Sequence, residues 1–118
     1  MIRLVYVAGP YRAKTPWDVE QNIRKAEELG LRIANVGALP IIPHSMYRFF
    51  DKQCDETFWL RGTETLLTRC NAIYLLKEWE ESEGSNNEFH LATEMKLPIF
   101  IEDCERDWTK FIEWAQGV

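Results

Sequence analysis

The sequence has no CxxC pair, and its three cysteines, Cys54, Cys70 and Cys104, are widely spaced and odd in number. That excludes a disulfide framework or a zinc cluster as the basis of the fold, and it points to reduced thiols in an intracellular, cytoplasmic setting. No apolar run reaches the ~20 residues that a membrane-spanning helix needs, so no membrane partner is expected. The N-terminus runs straight into a strand-like segment, without the pattern of a secretory signal. Cations are the minority: 14 Lys and Arg stand against 19 Asp and Glu, a formal net charge of −5. A general nucleic-acid surface is basic, so no nucleic-acid polymer is expected as a partner. Neither GxGxxG nor the P-loop pattern occurs, and no repeat, linker or low-complexity stretch is visible. What is there is ordinary for a globular chain: 118 residues, 46% hydrophobic and 28% charged, sized for a single domain, 1–118, around one core.

Ile2–Ala8 is short, rich in β-branched and aromatic residues, and stops at Gly9–Pro10, which predicts a buried strand. Thr15–Pro16–Trp17–Asp18 is a helix start, with Thr15 as N-cap, Pro16 in the first helical position and Asp18 completing a capping pair. Val19, Ile23, Ala26, Leu29, Ile33 and Val36 follow at steps of three and four, one apolar face, until Gly37 ends the helix. Leu39–Ile42 reads as a second strand closed by Pro43. His44–Cys54, with Tyr47, Phe49 and Phe50, reads as a structured loop or short helix over a site. Asp55–Arg69 predicts a helix that Gly62 weakens. Ala72–Leu76 reads as a strand, Lys77–Asn86 as a polar acidic loop, Asn87–Lys96 as a helix, Pro98–Ile101 as a strand and Asp107–Gln116 as a closing helix. Alternating strands and helices predict an α/β fold, a parallel sheet with helices on both faces. Ligands of such sheets bind beyond the carboxyl ends of the strands, here Gly9–Arg12, His44–Tyr47 and Glu78–Glu88.

Those loops hold most of the unusual chemistry. Glu88, near the start of the Asn87–Lys96 helix, is placed where free N–H groups and the macrodipole favour an ionised carboxylate, a candidate nucleophile. The plain alternative is an acidic residue charging a first turn. Arg12 offers a fork-shaped donor to a phosphate or carboxylate, or a solvated side chain beyond a tight turn. Tyr6 is a core residue unless it points along the strand end toward the cleft. His44 is a packed residue or a ligand of the substrate. A metal site from His44, Asp51, Cys54, Asp55 and His90 has no familiar ligand spacing, so none is expected.

Taken together, VYVAGPYR, PIIPHS, CNAIYLLKEWEESEGSNNE and PIF resemble the nucleoside 2-deoxyribosyltransferase-like family, over the span from Leu4 to about Ile101. Within it the chain looks closest to the small, often phage-associated members, in a group that also includes 2'-deoxynucleoside 5'-phosphate N-hydrolases. The resemblance implies a compact flavodoxin-like, Rossmann-like sandwich with a parallel sheet of four to five strands. It implies Glu88 as nucleophile, followed by Ala92. Ser82, six residues before it, and Gly84 would then bind a 5'-phosphate, with Gly9 and Arg12 from the first loop. Tyr6 would flank the base, and His44 matches a histidine after the second strand. Three positions depart from the family pattern. Pro10 stands where the hydrolases have serine, Thr63 with neighbouring Glu64 where they have an aspartate, and Asn71 where members often have Asp.

The chemistry implied is cleavage of the N-glycosidic bond of a nucleoside or its 5'-monophosphate. Glu88 attacks C1' through an oxocarbenium-like transition state, and water or a second base resolves the glycosyl-enzyme. That route requires no metal or redox cofactor. Two other classes stay open: a non-catalytic nucleotide-binding module and an interaction domain on the same fold. A homodimer or larger homo-oligomer is also expected. Related enzymes complete their clefts with a neighbouring subunit, Tyr47, Phe49 and Phe50 crowd one segment, and Trp114 lies off the Trp108–Phe111–Ile112–Ala115 face.

Overall fold

A computed structural model describes residues 1–48, 50 and 52–117. Phe49 and Asp51, both singled out above, lie outside the described residues. The chain runs β1 (Leu4–Ala8), α1 (Pro16–Asn35), β2 (Leu39–Ile41), α2 (Pro43–Met46), α3 (Glu56–Thr68), β3 (Ala72–Leu75), a 3-10 turn (Trp79–Glu81), α4 (Glu83–Glu94), β4 (Ile99–Ile101) and α5 (Glu105–Ala115). All pairings are parallel, in the order β2-β1-β3-β4, with Tyr6 in register with Ile41 on one side and Ile73 on the other. The result is a four-stranded α/β sheet of the flavodoxin and Rossmann kind.

The two central strands are apolar throughout because both of their faces are covered. Alternation along β1 sends Val5 and Val7 to one face, where they pack with Ala26, Leu29 and Ile33 of α1 and Phe111 of α5. Tyr6 and Ala8 go to the other, with Leu67 of α3 and Ala92 of α4. Right-handed crossovers explain the division. The chain steps one way from β1 to β2 through α1, then the other way through α3 and α4. The direction reverses between β1 and β3, which is where an open parallel sheet forms its ligand crevice.

Local chemistry sets α1 as expected. Thr15 Oγ1 accepts the Asp18 N–H at 3.1 Å, Pro16 opens the helix, and Gly37 takes a φ of +99° just beyond it. Gly62 sits inside α3 regardless, because Leu67 anchors that helix on the sheet.

One motive for an oligomer is overturned. Trp114 is not left to solvent: its ring lies 5.8 Å from both Phe100 and Phe111, and Arg3 stacks over it at 4.7 Å. The rings of Tyr74, Phe100, Trp108 and Phe111 continue that cluster. The exposed rings are elsewhere, at Trp17, Phe50 and Phe58.

Candidate functional site

Tyr6 reaches from β1 toward α4 and donates its hydroxyl to Glu88 Oε2. Tyr6 is fully buried and Glu88 partly so. Burial pushes the Glu88 carboxyl up to about 7; the Tyr6 hydrogen bond opposes that rise, and the nearby charge of Glu64 adds to it. The Tyr6 phenol is raised well above its usual value, first by burial and then by the charge and hydrogen bond of Glu88, against a hydrogen bond from Thr63. Tyr6, Thr63, Glu64 and Glu88 therefore form one electrostatic group assembled from β1, α3 and α4. Glu64, the carboxylate next to Thr63, is exposed and acts on Glu88 through its charge.

The reason given for Glu88 from the sequence is corrected. The helix begins at Glu83, not Asn87, so Glu88 lies in its second turn and gains little from free N–H groups. Ser82 is the N-cap, its Oγ accepting the Ser85 N–H at 3.1 Å. Asn86 closes the start by donating Nδ2 to the carbonyls of Glu80 and Ser82, at 3.0 and 2.8 Å. A Cβ at Gly84 would meet nothing closer than Ser82 Oγ at 3.8 Å, so the fold itself does not demand glycine there.

His44 and Gly9 meet in the backbone. His44 is buried at the start of α2, and its Nε2 lies 3.1 Å from the Gly9 carbonyl and 3.0 Å from that of Pro10. Carbonyls only accept, so Nε2 carries the proton, and Nδ1 is buried without a partner. Burial holds the His44 pKa below its ordinary value, with the two carbonyls pulling the other way. His44 thus fixes the first loop. Gly9 is required by packing: a Cβ there would fall 2.3 Å from Leu76 Cδ1 and 2.8 Å from Leu76 Cβ.

Arg12 is exposed and pairs with Glu56 of α3 at 2.6 Å. It lines a groove that includes neither Ser82 nor Glu88. A smaller cavity of about 280 Å³ opens at the strand ends beside Pro10, Leu76, Glu78 and Glu102; it too lacks Glu88. The structure therefore brings together Tyr6 with Glu88 and Gly9 with His44, and it sets Arg12 apart from Ser82. Asn71 has a structural role that the sequence did not announce: its Oδ1 accepts the Leu4 N–H at 2.7 Å. An aspartate oxygen would accept the same bond, so this departure leaves the Tyr6–Glu88 pair untouched. Among the described residues, no group of three or more His, Cys, Asp or Glu is placed to hold a metal, and no helix is long and apolar enough to cross a membrane.

The chain belongs to a family described as a domain of unknown function, DUF7768, whose model matches residues 3–102. No curated protein matches the chain. The matched span contains Tyr6, His44 and Glu88 and ends just after β4.

Proposed function

We propose that this member of the DUF7768 family cleaves the N-glycosidic bond of a nucleoside or nucleoside 5'-monophosphate, with Glu88 as nucleophile. The observation that carries the reading is the part-buried hydrogen bond of Tyr6 to Glu88 on the helix-covered face of the switch between β1 and β3. A carboxyl titrating near neutrality is the kind of group that active sites build by burial. In its ionised form Glu88 attacks C1' as the base departs. Tyr6 orients it and, by donating a hydrogen bond, keeps a share of it ionised at pH 7. Ser82 and Gly84, at the start of the same helix, are the proposed contacts of the sugar's 5' end; Arg12, paired with Glu56 in a separate groove, is not among them. The glycosyl-enzyme ester then passes its sugar to water or to a second base.

A panel of nucleosides and 5'-monophosphates, analysed for free base by chromatography, tests this reading. Base release that disappears in Glu88→Gln is expected. Base release that persists in folded Glu88→Gln overturns the assignment. One observation favours a second reading, a nucleotide-binding protein without turnover: Glu88 is held by Tyr6 and lines neither cavity described above. Nucleotide binding with no base release from any substrate in the panel would establish that reading instead.

A further inference from the structure

The chain is acidic overall, yet four of its 14 cations line one groove. Arg12 and Lys14 stand on the loop between β1 and α1, Arg48 and Lys52 on the segment between α2 and α3, and the space among them is about 800 Å³. Two carboxylates share the lining, and both are engaged: Glu56 with Arg12, Glu20 with Arg48. Lys14 and Lys52 join no ion pair among the described residues. Among the described residues that line it, four cations stand against two carboxylates, in a chain whose net charge is −5.

That arrangement selects its ligand. A cleft lined by one sign of charge concentrates the opposite ion, and its size is that of a small-molecule site. A single carboxylate would meet one bank of the groove. A row of phosphates carries a charge on each unit, so it can meet the ammonium groups of both banks at once. We propose that this groove binds a phosphate chain, an inorganic or nucleotide-borne oligophosphate held between Lys14 and Lys52. The inference stands apart from the Glu88 reading, because neither Tyr6 nor Glu88 lines the groove.

Cys54 supplies the measurement. It is exposed and lines the same groove, whereas Cys104 does not. The full chain is alkylated with neutral iodoacetamide, with and without inorganic tripolyphosphate, and the rate at each cysteine is read by peptide mass spectrometry. Tripolyphosphate is expected to slow Cys54 several-fold and to leave Cys104 unchanged. The double variant Lys14→Ser, Lys52→Ser should abolish that protection; both side chains are exposed, so the fold is retained. A nucleoside triphosphate in a parallel arm identifies the source. Equal protection means the phosphate chain alone is read, and stronger protection means a nucleotide carries it. No slowing of Cys54, equal slowing by sulfate at matched ionic strength, or full protection in the double variant would each overturn the proposal.

Discussion

Glu88 and His44 are buried titratable groups whose shifts have opposite consequences for pH. The Glu88 carboxyl is raised from 4.5 to about 7, so the fold binds its proton more tightly than the unfolded chain does. Its stabilising contribution is complete below pH 4.5 and is lost as pH rises through 7. Glu88→Gln should therefore raise the urea midpoint at pH 8, by at most about 3 kcal/mol of stability, and give no such gain at pH 4. An equal gain at both values would mean that the carboxyl is not carrying the shift. If Glu88 is the nucleophile, kcat/KM should climb with pH and level off above about 7, since only the carboxylate attacks. Tyr6→Phe removes the bond that lowers this pKa, so the rising limb should move to higher pH; an unmoved limb would separate Tyr6 from the titrating group. His44 runs the other way. Its pKa is depressed, so its contribution is present above the ordinary histidine range and is lost as pH falls below it. Protonation there places an N–H on a buried Nδ1 with no acceptor, a cost on the order of 1–3 kcal/mol. At this scale the sequence revealed which residues to watch but not their roles. Tyr6 in an apolar strand reads as packing, and nothing in the spacing of His44 says that its partners are backbone carbonyls.

The helices show which local signals survive folding. The capping pair and apolar stripe of α1 agree with each other, and its start was legible to the residue. In α4 they conflict. Gly84, Ser85, Asn86 and Asn87 are poor helix formers, so propensity argues for a later start. The Ser82 cap and the Asn86 side chain hold that turn instead. Ser82→Ala should then lower stability by about 1 kcal/mol, read from chemical denaturation; no change would mean that Asn86 alone suffices. In α3 the weakness attributed to Gly62 is real but unused. A Cβ at that position meets nothing within 4 Å, so Gly62→Ala should stabilise by roughly 0.5–1 kcal/mol.

Across the whole molecule, the alternation of elements was enough to give the parallel sheet, while the placement of the large aromatics was not. Helical spacing put Trp114 off the apolar face of α5, but Phe100 and Arg3 come from distant parts of the chain to receive it. The expectation of an oligomer now rests on the clefts of related enzymes and on the aromatic segment of Tyr47 and Phe50, of which Phe50 is exposed, and a monomer mass by light scattering would remove it. The family match closes at residue 102, whereas α5 begins at Glu105. Phe111, Trp108 and Trp114 are thus supplied from beyond the shared span, although Val5, Val7, Tyr74 and Phe100 lie beneath them inside it. A chain cut after residue 102 would keep every residue of the matched span and still bare one side of its sheet, so it should bind more hydrophobic dye and precipitate more readily than the full chain. The span that sequence kinship draws thus leaves out a helix that covers one face of its own sheet.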